Sequence, residues 1–186
     1  MDDVHIRNAV LQGREERALL RQSYAQKDIA TISLNLNVPA YPKRSDKLTS
    51  FFNIIRKELE DFLIANRVMY VDSGVQELSN EAGDFAILPL HKGQHSIQEM
   101  KDICEQFESS HSHGRLLDVD VTDAKGNHIS SNKHKACFIC DSNSALDCMH
   151  AQRHSFKELR KAFNESVEEY LDARKREEIC RKLADY

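Results

Sequence analysis

Thr31-Ile32-Ser33-Leu34-Asn35-Leu36-Asn37-Val38 alternates polar and apolar side chains, and the chain behind it changes period. Side chains on a strand point to opposite faces in turn, so this stretch predicts a strand buried on one face. Pro39 and Pro42 end it. Over 46–66, Leu48, Phe51, Phe52, Ile55, Leu59, Phe62 and Leu63 recur at steps of three and four, which predicts an amphipathic helix. Further on, 68–71 reads as a short strand, 74–83 as a loop and 85–90 as another strand. Ser96-Ile97-Gln98-Glu99 has the spacing of a capping box and predicts a helix to about 107. The stretch 115–122 predicts a strand, followed by a turn at Ala124-Lys125-Gly126-Asn127.

Strand, helix, strand, strand, helix, strand is the order of a split βαβ, ferredoxin-like unit, an antiparallel sheet with both helices on one face. Before it, 14–25 predicts a first helix, with Gly13 at its start and Ala18, Leu19 and Tyr24 as a partial apolar face. After it comes a cysteine-rich segment over 137–154. A second capping box, Ser155-Phe156-Lys157-Glu158, then opens a long charged helix toward the C-terminus. The expected fold class is α+β. The chain, 1–186, is expected to be a single domain with the cysteine segment and last helix as an appendage.

The net charge of −4 argues against a non-specific nucleic-acid binder, which would be basic. No apolar run is long enough to span a bilayer, and Met1-Asp2-Asp3-Val4-His5 lacks the shape of a signal peptide. The 5 cysteines are an odd number, with Cys137, Cys140 and Cys148 clustered. That pattern suits free thiols or a metal in a reducing compartment, and a cytoplasmic location is expected.

Two constellations carry chemistry. In Gly114-Arg115-Leu116-Leu117-Asp118-Val119-Asp120-Val121, alternation puts Leu117, Val119 and Val121 on one face and Asp118 with Asp120 on the other. Two carboxylates about 7 Å apart along a strand suit magnesium, which takes oxygen ligands and leaves room for phosphate oxygens. Paired ions of that kind stabilise both the attacking and the leaving oxygen of an in-line displacement. Asp-x-Asp is a short motif, and a solvated acidic strand face is the plainer reading of the residues alone. The second constellation is Cys137-x-x-Cys140, then Cys148, then His154. It suits a four-ligand zinc site, a set of reduced thiols or a redox pair. Arg14 and Arg17 share a helix face, Lys43 follows the proline turn, and Arg115 precedes the aspartates; each is a candidate phosphate contact. His111 is a candidate for proton transfer.

Taken in order, these pieces resemble the holo-citrate lyase synthase family. The resemblance rests on His111, Gly114-Arg115-Leu116-x-Asp118-x-Asp120-Val121, the Gly126 turn with Ser130, and Cys137-x-x-Cys140 with Cys148 and His154. Upstream it includes Gly13-Arg14-Glu15-Glu16-Arg17 and Asn37-Val38-Pro39-Ala40-Tyr41-Pro42-Lys43. The chain departs from the family at Ser112-His113, where a proline is usual, at Ser130-Ser131, where a serine–arginine pair is expected, and at His134-Lys135-Ala136, where an arginine is common.

The resemblance implies a nucleotidyltransferase. It would move the phosphoribosyl-dephospho-CoA unit from its triphosphate precursor to a serine of the citrate lyase acyl carrier protein and release pyrophosphate. It assigns magnesium to Asp118 and Asp120, and phosphate contacts to Arg115, Arg14, Arg17 and Lys43. The expected partners are that carrier and the triphosphoribosyl-dephospho-CoA donor, with no nucleic acid and no membrane. Two other readings stand beside it: a zinc-stabilised module that binds a partner protein, and a related nucleotidyltransferase acting on another carrier.

Overall fold

The computed structural model describes residues 3–93, 95–131, 135–140 and 144–184. The elements run α1 (Asp3–Ala25), β1 (Thr31–Leu36), α2 (Asp46–Ala65), β2 (Gln76–Asn80), β3 (Gly83–Pro89), α3 (Ile97–Ser110), β4 (Leu117–Thr122), α4 (Ala145–His150) and α5 (Phe156–Ala184). Short 3₁₀ turns lie at Asp72–Gly74 and Gly114–Leu116. The chain forms two compact units: Met1–Asn37 with Tyr41–Lys133, and Val38–Ala40 with His134–Tyr186. Of the cysteine segment expected over 137–154, residues 141–143 lie outside the described residues, as does His134.

The first unit is built on one sheet in the order β2-β3-β1-β4, every neighbouring pair antiparallel. This is compatible with the ferredoxin-like unit that the element order predicts. Alternation sorts the sheet into two faces. Ile32, Leu34, Ala86, Leu88, Leu117, Val119 and Val121 share one face and are all buried. Asp84 is on that face too, and Thr49 of α2 donates to its carboxylate at 2.7 Å, which seats α2 there. The Phe62 and Phe107 rings, 5.3 Å apart, join α3 to α2. Both crossover helices therefore cover the same face.

The other face meets α1. Tyr24 packs with Phe85 and Ile87, and Leu20, Ile29 and Leu78 close over them. At the edge of the sheet, α3 seals β4: Glu108 accepts from the Val119 N–H at 2.8 Å, and Lys101 donates to the Val119 carbonyl at 3.4 Å. Both exposed backbone groups of that edge residue are thus satisfied, which blunts the edge against pairing with another strand.

Three expectations shift. Residues 68–71 form no strand; Tyr70 makes one isolated bridge to Leu90. The second strand is instead β2, inside the stretch expected as loop. The first helix begins at Asp3 and passes through Gly13, because a Cβ there would lie 2.5 Å from Asn80 Oδ1: the glycine serves close packing on β2, not helix initiation. The strand expected over 115–122 starts at Leu117, since Arg115 belongs to the preceding 3₁₀ turn. Both capping boxes form. Ser96 accepts from the Glu99 N–H at 3.2 Å and Ser155 from the Glu158 N–H at 3.2 Å, and each glutamate accepts in return from its serine N–H.

The second unit is small. Among its described residues, Phe163, Val167 and Tyr170 of α5 are buried, as are Val38, Cys137 and Cys148. The Phe138 ring meets Phe163 edge-on at 5.8 Å, and Arg160 donates to the Pro39 carbonyl at 3.2 Å.

Candidate active site

The register of β1 and β4 sets Asn35 opposite Asp118 and Ser33 opposite Asp120. All four lie on the face that α1 partly covers. Asn35 donates to Asp118 Oδ2 at 2.9 Å. Asp120 is 40% exposed, with the buried Lys101 ammonium 3.7 Å from its carboxylate as it reaches round the sheet edge. The aspartates therefore point one way and stay accessible, as the alternation predicts. The Ser33 hydroxyl beside them is buried and has no hydrogen-bond partner among the described residues.

Above this face runs a column of arginines. Arg14, Arg17 and Arg21 follow at steps of three and four, so they stack on one side of α1. Arg17 is buried, donates to the Gly83 carbonyl at 2.9 Å and lies 5.2 Å from the Phe85 ring centre; Arg21 lies 5.3 Å from the same ring. Burial, then the charges of Arg21 and Arg14, push the Arg17 guanidinium down to about 10, with Asp84 and Asp118 opposing. Burial likewise lowers Arg21, against the pull of Asp120 and Asp118. Both shifts have burial as their first cause, the cost of holding positive charge out of water, and at Arg17 the crowding of like charge adds to it. An incoming anion offsets that cost.

Arg21 also lines a cleft of about 320 Å³ with Lys125, Gly126 and His128 of the turn after β4. Gly126 has φ +88, and a Cβ there would stand 3.4 Å from Ala25 Cβ, so a glycine lets this turn close on α1. The cleft wall is basic and the neighbouring strand face acidic. That pairing suits a phosphate chain whose counter-cation rests on carboxylates.

The remaining candidates are placed as follows. Arg14 is exposed on the same column. Lys43 comes close to the β2–β3 turn: its carbonyl oxygen would stand 3.1 Å from a Cβ on Gly83, beside the Arg17 guanidinium. Arg115 sits in the 3₁₀ turn, off the strand that carries the aspartates. His111 caps α3 and is not brought to the aspartates. Its Nδ1 accepts from the His113 N–H, and its Nε2 is 3.0 Å from Glu58 of α2, on the opposite face of the sheet. Sequence reasoning missed Arg21, Lys125, His128, Asn35 and Ser33. The Arg14–Arg17–Arg21 spacing was the available signal for the first of them. In the second unit, ligand atoms of Cys137, Cys140, Cys148 and His154 all lie within 4.8 Å of one another.

A model of the apo-citrate lyase phosphoribosyl-dephospho-CoA transferase family matches residues 6–170, a span that takes in most of α1, the whole sheet and the cysteine cluster. The chain belongs to this family. The curated relatives agree with the family model. The chain is 28% identical over 173 residues, covering 88% of this chain and 85% of the relative, to a probable apo-citrate lyase phosphoribosyl-dephospho-CoA transferase of Streptococcus pyogenes serotype M18 (strain MGAS8232). A protein of the same description from S. pyogenes serotype M3 (strain ATCC BAA-595 / MGAS315) is 25% identical over the same shares. "Protein CitXG" of Haemophilus influenzae is 24% identical over 81% of this chain, a match that takes up 32% of that longer protein. The family is one of transferase enzymes, named for moving the phosphoribosyl-dephospho-CoA group to apo-citrate lyase. Among the described residues no helix is long and apolar enough to cross a membrane.

Proposed function

We propose that this chain transfers the phosphoribosyl-dephospho-CoA group from its triphosphate precursor to a serine of the citrate lyase acyl carrier protein, releasing pyrophosphate. The observation that carries the reading is the convergence of Asp118 and Asp120 with Arg17 and Arg21 on one sheet face. The serine oxygen attacks the phosphorus nearest the ribose. A new P–O bond forms to serine as the bond to the outer two phosphates breaks, and those leave as pyrophosphate while the serine proton passes to solvent or a base. Little covalent chemistry is asked of the protein in such a step, so positioning and charge neutralisation dominate.

The arginine column and the Lys125–His128 wall bind the triphosphate and hold its reacting phosphorus in line. Lys43 supports the Arg17 end. The donor set beside the cleft is the two carboxylates, with the Asn35 amide and the Ser33 hydroxyl, which has no hydrogen-bond partner among the described residues, on the same strand face; its oxygens fit magnesium. When bound there, magnesium neutralises charge on the phosphate oxygens. Asn35 fixes the orientation of Asp118, and Lys101 that of Asp120.

Substitution separates this reading from that of a binding module. Asp118→Asn with Asp120→Asn should lower transfer at least about a hundredfold while leaving the fold and carrier binding in place. Transfer at the wild-type rate in that variant overturns the site assignment.

A further inference from the structure

We propose that Cys137, Cys140, Cys148 and His154 bind one zinc ion in a closed site that holds the small second unit together. The proposal is independent of the transferase reading, since it rests on this unit alone. Four ligand atoms, three sulfurs and one imidazole nitrogen, lie within 4.8 Å of one another. Cys140 Sγ is 3.2 Å from Cys148 Sγ and 3.2 Å from His154 Nε2. A zinc tetrahedron with bonds of about 2.3 Å to sulfur and about 2.0 Å to nitrogen has edges of roughly 3.5–3.8 Å. The two short contacts need to open by only about half an ångström to admit the ion.

The local fold delivers these ligands from three directions. Cys137 and Cys140 come from one tight turn, where the Ile139 N–H donates to Cys137 Sγ at 3.5 Å, a bond that favours thiolate. A bridge between Ala136 and Ser144, with the Ala145 N–H on the Lys135 carbonyl at 2.8 Å, brings α4 back beside that turn. α4 supplies Cys148, and the Ser144 side chain caps it by accepting from the Asp147 N–H at 3.0 Å. His154 follows just before the Ser155 cap of α5. The ion would clasp the turn, the short helix and the start of the long one.

Two further observations favour zinc over separate thiols. Cys137 and Cys148 are buried beside Cys140, and three soft thiolates with one imidazole form a donor set that suits zinc. Among its described residues the unit also has little apolar core beyond Val38, Phe163, Val167 and Tyr170, and small cores of this kind need a staple. Four protein ligands leave no open position, so the site is structural rather than catalytic. The thiols give up their protons as zinc binds, and the binding free energy becomes folding free energy of the segment.

The test uses the full chain purified without added metal or chelator. Elemental analysis should find one zinc per chain. Mercurial titration of the native protein should release that zinc as the clustered thiols react. Cobalt loaded in its place should show the absorption of a tetrahedral thiolate site. His154→Cys should keep the metal, and Cys148→Ser should lose it. If the serine variant fails to fold, the wild-type stoichiometry and the cobalt spectrum still decide. Absence of zinc with all three thiols titrating freely overturns the proposal. So does an intact mass showing a Cys140–Cys148 disulfide without metal, which would make the pair redox-active.

Discussion

Arg21→Met is expected to make the free protein more stable and a worse enzyme. The substitution keeps an apolar stem beside the Phe85 ring and deletes one of two crowded charges. Arg17 and Arg21 are one helical turn apart, about 6 Å between their Cβ atoms. Unit charges at that separation repel by about 0.7 kcal/mol in water and by under about 3 kcal/mol at an effective dielectric of 20. Arg21 is half-buried, so the lower part of that range applies. Against this stand the cation–π contact with Phe85, worth about 0.5–1 kcal/mol, and the attraction of Asp118 and Asp120. Burial outweighs that attraction, since the Arg21 pKa is lowered on balance. The net gain is about 1 kcal/mol or less, a rise in Tm of about 2–4 °C for a chain of this size. The same change removes the proposed phosphate contact from the cleft, so KM for the triphosphate precursor should rise about tenfold or more, roughly 1.4 kcal/mol of binding. Calorimetry and steady-state kinetics on the same preparation read both effects. A variant that melts several degrees lower, with KM unchanged, would refute the view that this column is held strained for an anion.

Other outcomes follow from the packing. At Gly114 a Cβ would stand 1.6 Å from the Glu108 carbonyl oxygen, so Gly114→Ala must push the start of β4 off the end of α3. It should cost about 3 kcal/mol and lower Tm by about 6–12 °C; a melting curve within a degree of wild type would contradict this. Burial pushes the Cys104 thiol up to about 12. Alkylation of the native chain at pH 8 should therefore label the exposed Cys180 and spare Cys104, and fast labelling of Cys104 would show that α3 opens readily.

What the sequence made legible follows the reach of hydrophobic periodicity. α2 buries one continuous face, whereas β1 over 31–34 is buried on both faces and not on one as alternation predicts; the bounds of both are close to those that alternation and three–four spacing predict. β2 is an edge strand of Gln76-Glu77-Leu78-Ser79-Asn80 with mostly exposed side chains, so it carries no apolar alternation to detect. The more apolar 68–71 drew the strand assignment instead, although Val68 is buried there without ladder pairing. Gly13 reads as a helix boundary because glycine is a poor helix former. Only the close approach of Asn80 and Ala82 explains its place inside α1. The six-residue α4 is too short for a period to register. At the candidate site, the facing of Asp118 and Asp120 is a local property of one strand and was legible. Asn35, Ser33, Lys125 and His128 join it through sheet register and turn placement, which no local pattern encodes.

The central claim is tested most directly by incubating the full chain with magnesium, the triphosphoribosyl-dephospho-CoA precursor and apo-citrate lyase, then measuring the intact mass of the acyl carrier subunit alongside pyrophosphate. The account expects the carrier to gain one phosphoribosyl-dephospho-CoA unit on a serine, with one pyrophosphate released per carrier modified. A carrier of unchanged mass under those conditions, or modification without pyrophosphate, would contradict it.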